Sequence, residues 1–262
     1  FAAASVLGIP FGLELASRIS WHAPFIVTAL LALVVTVFAW RHLPAQTAPE
    51  TETSLHKRAS HLLEMICSPL PMLSYLYMFL TMMAGFMVIP NIAAHLQLNW
   101  HYPRAQLGLL YLCGGGLSFF SMRFAGRMTD RYSSTRVAAL FTCVLLMALS
   151  AGFIWFPSPV PVVVVFTLFM VAMSGRMVAA QTLSSKIPSA RERGAYMSVQ
   201  SALTHMGSAV GAYGSSRILL EQDGALLHMP AIGTISAALS LCVLLLVAMV
   251  EKKVRQRQQD TA

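Results

Sequence analysis

The chain has 262 residues, of which 56% are hydrophobic and only 11% are charged. Together with a mean hydropathy of +0.66, this composition indicates a polytopic membrane protein and excludes an ordinary globular domain. The formal net charge is +8. The basic residues lie at the ends of apolar segments and in the tail, and this distribution argues against a nucleic-acid surface. The four cysteines have no paired spacing, so neither a disulfide framework nor a metal site is predicted.

Apolar segments long enough to cross a bilayer recur along the chain and predict an all-α membrane protein with about eight transmembrane helices. In chain order, the predicted spans are residues 1–17, 23–40, 71–96, 102–122, 137–156, 160–181, 195–216 and 229–250. The polar residues 44–70 form a linker between the second and third spans. Residues 251–262 form a basic tail.

Proline and small residues predict local features of two spans. The pair Pro90-Asn91 should break or kink the third span, because proline cannot donate the helical hydrogen bond. In the seventh span, Gly207, Gly211 and Ser215 recur every four residues. Such a stripe is typical of a membrane helix whose backbone packs closely against a neighbour.

The distribution of basic residues predicts the orientation of the spans. The short loop 123–136 carries four arginines between two apolar segments, and loops of this kind stay on the cytoplasmic side. Placing the tail and every second loop inside, which includes residues 41–70, 123–136 and 182–194, puts 14 of the 18 Lys and Arg residues in the cytoplasm. We therefore expect a multi-pass protein of the plasma membrane, the inner membrane in a bacterium, with a cytoplasmic C-terminus.

The same loop carries a motif. Gly126-x-x-x-Asp130-Arg131, closed by Arg136, resembles the signature that joins successive helices on the cytoplasmic face of major facilitator superfamily transporters. The signature's second glycine would fall at Ser133 in this chain. Because Asp130 lies at the predicted cytoplasmic rim, we expect this motif to matter for conformational switching and not for substrate contact.

Two other segments support this resemblance. The run Gly8-Ile-Pro10-Phe-Gly12 is similar to the Gly/Pro-rich fifth-helix motif of proton-driven antiporters in the superfamily, although that motif usually has Gly and Pro adjacent. Arg176, together with Pro188 and Arg193-Gly194, resembles the helix-ten and helix-eleven region of the sugar-efflux and drug:proton antiporter branch.

The resemblance implies a domain organisation and a function. Residues 1–43 would be helices five and six of an N-terminal bundle, residues 44–70 the cytoplasmic linker, and residues 71–250 a complete C-terminal six-helix bundle followed by the tail 251–262. The chain would thus be the C-terminal two-thirds of a monomeric transporter without a cofactor. Alternating access would drive proton-coupled efflux of a sugar, drug or metabolite.

Polar residues inside the spans are the candidates for the substrate and proton pathway, because an ionisable group in the membrane is costly. Arg176 should face the central cavity, unless it pairs with carbonyls or extends toward the cytoplasm. His205 would carry a proton or make one interhelical hydrogen bond. Asn91 and Gln181 would bind substrate or join helices. Glu14 has the spacing of an ion pair with Arg18.

Two other hypotheses remain open at this point. One is a membrane-embedded enzyme acting on lipid or isoprenoid through His205 or His95, and the other is a transporter fragment without function. The sequence contains no Gly-rich phosphate loop, no Walker-type lysine and no Cys-x-x-Cys metal pattern. These omissions favour a protein that is not an enzyme and that draws its energy from an ion gradient.

Overall fold

The computed structural model describes residues 8–43, 66–155, 159–189 and 192–260, nearly all of them helical. The helices are α1 Ile9–Arg18, α2 Ala23–His42, α3 Pro69–Val88, α4 Ile92–Leu98, α5 Leu107–Arg131, α6 Ser134–Leu149, α7 Val162–Ser184, α8 Arg193–Ile218 and α9 Met229–Asp260. Short helical turns occupy Ile89–Asn91, Arg104–Gln106 and Ser150–Ile154. Strands β1 Leu220–Gln222 and β2 Ala225–Leu227 form one antiparallel hairpin.

Six helical segments of the described chain are long and apolar enough to span a membrane. They are Ala23–His42, Pro69–Leu98, Arg104–Arg131, Ser134–Ile154, Val162–Ser184 and Met229–Arg257. Of the other two predicted spans, α8 has 26 residues but is less apolar, and α1 has 10 residues. The chain is therefore an integral multi-pass membrane protein, and the count of eight spans stays a prediction.

The predicted break at Pro90 is confirmed. Helix α3 ends at Val88, a single tighter turn covers Ile89–Asn91, and α4 continues from Ile92. The break arises because Pro90 has no N–H for the preceding turn. The break makes α4 a separate short helix of two turns. Asn99, which follows α4, contacts the hairpin: its side-chain amide donates to Leu226 O at 2.9 Å and accepts from Leu226 N at 2.8 Å.

Helices α3 to α9 pack as one bundle. Helix α3 lies against α8 and α9, and α7 lies against α5 and α6. Helix α1 packs on α5 and α2, and carries the ion pair Glu14–Arg18 that its sequence spacing predicts. Helix α2 is apolar on all sides and almost wholly exposed, as expected of a surface that faces lipid or another apolar body.

The glycine stripe of α8 is confirmed as a close-packing surface. A side-chain carbon at Gly207 would collide with Phe79 O of α3, and one at Gly211 would collide with Met83 O, one turn further along α3. Ser215 continues the stripe and is 1% exposed. Because only glycine allows this approach of two backbones, the stripe sets the distance between α3 and α8.

The bundle's interior has two hydrophobic clusters with a polar layer between them. One cluster, around Tyr77 and Leu183, lies at the end where α5 meets α6, and the other, around Ile92 and Phe166, lies at the hairpin end. Between them, buried hydroxyls donate to main-chain oxygens of neighbouring helices: Ser121 to Val171 O at 3.0 Å and Ser236 to Ala84 O at 2.8 Å. Every such bond satisfies a polar group that would otherwise have no partner in the apolar interior.

The described residues form an all-α membrane fold, as predicted, and the short β1–β2 hairpin that joins α8 to α9 is an addition that the sequence did not indicate. The tail predicted at 251–262 is helical up to Asp260, since α9 continues beyond its apolar part. Three predicted segments lie partly outside the described residues: most of the linker (residues 44–65), the start of the first span (residues 1–7) and the end of the fifth span with the two residues after it (residues 156–158).

Candidate functional site

A cavity of about 320 Å³ lies among α3, α4, α5 and α7. Its walls are made of methionines, aromatic residues, isoleucines and a few small polar residues: Met82, Met122, Met170, Met173, Met177, Phe86, Phe166, Phe169, Tyr111, Ile89, Ile92, Thr81, Ser174 and Gln181. The volume is in the range of small-molecule sites. From Phe166 to Gln181 the cavity follows α7 for about 22 Å, at the helical rise per residue.

Few polar atoms face this cavity. Thr81 donates its hydroxyl to Tyr77 O at 2.6 Å, so only its lone pairs are available. Ser174 and Gln181 make no side-chain hydrogen bond with the described residues. No charged side chain of the described segments lines the walls. The site can therefore offer one amide, a few hydroxyl groups and a large polarizable apolar surface.

Arg176 does not line this cavity, contrary to the expectation from its place in the span. Its side chain is 3% exposed and donates from Nη1 to Ser240 Oγ of α9 at 3.0 Å. Met173, Met177 and the two polar residues of α7 share one face of the helix, and at about 100° per residue Arg176 lies roughly 110° from that face. It therefore points into the bundle interior, where Nη2 has no partner among the described residues.

Asn91 and His205 are also away from the cavity walls. The Asn91 amide donates to Met87 O at 3.1 Å and to Ser215 Oγ of α8 at 2.9 Å, so it joins the break after α3 to the glycine stripe. His205 is exposed on α8. Of the four pathway residues proposed from sequence, the structure places only Gln181 in the cavity wall.

The motif residues lie at the junction of α5 and α6. A side-chain carbon at Gly126 would lie 4.0 Å from Val178 of α7, and Asp130 and Arg131 are exposed in the last turn of α5. Asp130 thus stands at the C-terminal end of α5, where a negative charge is unfavourable. Arg136, the closing residue, is exposed in the first turn of α6.

The start of α6 is capped by other residues. Ser133 Oγ accepts from Arg136 N at 3.1 Å, and Glu251 Oε2 of α9 accepts from Thr135 N at 2.7 Å. Arg255 donates to the other oxygen of Glu251 at 2.9 Å. A carboxylate at a helix N-terminus satisfies a free N–H and opposes the helix dipole. The motif loop is therefore tied to α9.

A buried polar cluster closes the bundle at this same end. Tyr196 OH of α8 donates to Ser74 Oγ of α3 at 2.6 Å, and Ser184 Oγ of α7 donates to Gln200 Oε1 at 2.7 Å. Ser74 and Ser184 lie 3.2 Å apart and complete the chain of hydroxyls. These bonds join three helices beside the end of the cavity that Gln181 marks. The sequence shows no signal for them, because isolated Ser and Tyr residues at helix ends have no recognisable spacing.

The remaining candidates from the sequence, His95 and the motif of Gly8, Pro10 and Gly12, lie outside the cavity wall. His95 is buried; its Nε2 lies 3.0 Å from Gly152 O, to which it donates in one tautomer, and 3.2 Å from Trp100 Nε1, from which it accepts in the other. Among the described residues, His, Cys, Asp and Glu form no group that could hold a metal ion. Gly8 and Gly12 flank the first turn of α1, with Pro10 in that turn, and a side-chain carbon at Gly12 would lie 4.0 Å from Pro24 of α2. This motif lies on the α1–α2 pair, outside the cavity wall.

The fold and the site together define a class of protein: a multi-pass helical membrane protein with a cavity of small-molecule size among its spans. The family model of the Major Facilitator Superfamily matches residues 1–212 and, in a second alignment, residues 74–261. The chain therefore belongs to the Major Facilitator Superfamily, a family of secondary transporters and not of enzymes. A comparison with curated protein sequences gave no match.

Proposed function

We propose that the protein is a proton-coupled exporter of a small organic solute, of the sugar-efflux and drug:proton antiporter type. It would act as a monomer in the plasma membrane, the inner membrane in a bacterium, with its C-terminus in the cytoplasm. The observation that carries the proposal is the cavity among α3, α5 and α7 in a chain of this transporter family. The site would bind the solute without a cofactor or metal.

The cavity residues have proposed roles. Gln181 would bind the solute through its free amide at one end of the cavity. Arg176 and Asn91 would affect transport indirectly, since they lie outside the wall. Arg176 would hold α7 against α9, and Asn91 would hold the α3 break against α8. His205 stays a candidate for carrying the proton, because it is exposed on a helix that packs beside α3.

The loop Gly126–Arg136 would control the change between inward-open and outward-open states. Asp130 and Arg131 are exposed at the end of α5, far from the cavity wall, so they are free to form contacts that differ between the two states. Asp130→Asn should therefore slow transport while leaving equilibrium solute binding nearly unchanged. A loss of binding as large as the loss of transport would contradict this role.

The proposal is tested with everted membrane vesicles, in which an exporter moves solute inward. Vesicles that contain the protein and control vesicles without it receive an imposed proton gradient and a panel of radiolabelled sugars and aromatic compounds. We expect uptake of at least one solute that needs the protein and stops when a proton ionophore collapses the gradient. Uptake that is indifferent to the ionophore would exclude proton coupling, and no protein-dependent uptake across the panel would count against export.

A further inference from the structure

We propose that the transported solute is an uncharged molecule with a planar aromatic body and a hydrogen-bonding group at one end. This inference rests on the proposed transport function and narrows the solute class. Among the sugar, drug and metabolite possibilities, the chemistry of the cavity wall selects one kind of molecule. The argument uses the charge of the wall, its polarizable surface and the position of its free amide.

The absence of charge in the described wall disfavours ions. A carboxylate or phosphate entering this cavity would lose its hydration and find no Lys or Arg of the described residues on the wall. Arg176, the only cation of the described spans buried in the bundle, directs its guanidinium to Ser240 behind the wall. A fixed cation on the solute would equally lack a carboxylate partner in the wall.

The wall also disfavours a sugar. A sugar ring presents hydroxyl groups all around its edge, and each of them needs a partner when water is removed. The middle of the cavity offers Met173, Met177 and Phe169, which have no donor and at best a weak acceptor. Most hydroxyl groups of a bound sugar would therefore be unsatisfied.

A flat aromatic body fits the same surface. Thioether sulfur and aromatic rings form favourable contacts with a ring's edge or face, and methionine adapts its shape to different rings. Tyr111 and Phe166 already make such an edge-to-face contact in the wall, with ring centroids 4.9 Å apart. A hydrogen-bonding group on the solute would bind the free amide of Gln181 at one end.

One glycine controls the width of the cavity. A side-chain carbon at Gly85 would collide with the terminal methyl group of Met173, which lines the cavity. Since that methyl group ends a flexible side chain, Gly85→Ala would move it into the cavity without disturbing a backbone. Gly116 of α5 has nothing within 4 Å of such a carbon and is the matched control.

The test uses two probes with the same ring system. N-phenyl-1-naphthylamine is uncharged, planar and has one N–H donor, and 8-anilinonaphthalene-1-sulfonate adds an anionic group. The purified protein is placed in phosphatidylcholine nanodiscs, and fluorescence titration measures binding above that of empty nanodiscs. We expect saturable binding of the uncharged probe, at least about tenfold weaker binding of the sulfonate, and no competition by lactose.

Variants locate this binding. Met177→Gln, which places a polar amide on the apolar wall, should weaken binding of the uncharged probe by about tenfold, and Gly85→Ala should weaken it as well. Met249→Gln on the exposed side of α9 and Gly116→Ala should have no effect. The thermal stability of all four variants is measured alongside binding. A loss of binding that comes from unfolding is thereby distinguished from a loss at the site.

The outcomes distinguish the solute class from transport itself. Binding of the uncharged probe only to the lipid of the discs, equal binding of the sulfonate, or competition by lactose would overturn the proposed class. If a sugar is moved by the proton gradient and the probe does not bind, the class is wrong and the export function stands. If the probe binds in the cavity and no solute is moved, the export function is wrong and the binding chemistry stands.

Discussion

Arg176 of α7 donates a hydrogen bond to Ser240 of α9 at 3.0 Å, inside the bundle and behind the wall of the cavity. The guanidinium thereby joins two helices at the level of the polar layer, between the two hydrophobic clusters. A buried cation is costly, and its second terminal nitrogen has no partner in the described residues. This pair therefore joins α7 to α9 inside the bundle, outside the cavity wall.

We expect Ser240→Ala to lower the free energy of unfolding by about 1–2 kcal/mol, because it removes a hydrogen bond to a buried charge. In the Arg176→Met background, which removes that charge, the same change should have almost no effect. Thermal unfolding of the purified protein in detergent measures both. The control is Thr234→Ala, an exposed residue of α9 that bonds only Pro230 O of its own helix. Equal losses in the two backgrounds would show that the pair is not coupled.

The glycine stripe predicts a graded effect on stability. Gly207→Ala and Gly211→Ala should each cost about 1–3 kcal/mol, since the added carbon meets a main-chain oxygen of α3 that cannot move alone. Gly214→Ala on the same helix has nothing within 4 Å and should leave the melting temperature nearly unchanged. The three melting temperatures check the contact between α3 and α8. A tolerant Gly207→Ala variant would mean that these helices lie further apart.

Glu251 predicts a link between α9 and the motif loop. Glu251→Ala should destabilise the protein by about 0.5–2 kcal/mol, because the N–H of Thr135 loses its acceptor at the start of α6. Hydrogen exchange at the first turn of α6 should accelerate in this variant. Lys252→Ala, at the exposed neighbouring position, serves as the control. Unchanged exchange at Thr135 would show that the cap does not form in the membrane.

Topology is tested at two exposed residues at opposite ends of the bundle. Tyr132 follows α5 beside the motif loop, and Asp223 lies at the tip of the hairpin between α8 and α9. In a background without the four native cysteines, Asp223→Cys should react with an impermeant maleimide added to intact cells. Tyr132→Cys should react only after the membrane is opened, because its loop carries the arginines that hold it inside. The reverse result would invert the whole orientation.

The sequence by itself determined where the apolar segments lie and where they break. Effects that depend only on a residue's own backbone or on regular spacing can be predicted from sequence. Pro90 ends α3 whatever that helix packs against. The spacing of Gly207 and Gly211 marks one face of α8 even when the neighbouring helix is unknown. The signature around Asp130 likewise indicated the family that the comparison shows. Each of these signals is local, so it is complete within a few residues of the chain.

Only the tertiary structure decided which polar residues face the cavity. Arg176 and Gln181 are both polar positions on α7, five residues apart, and nothing in their own segment distinguishes the side that meets α9 from the side that meets the cavity. Glu251 caps a helix start 116 positions away in the chain, which no spacing rule can indicate. These roles depend on how the helices are rotated against one another, and that rotation results from the packing of all their side chains together.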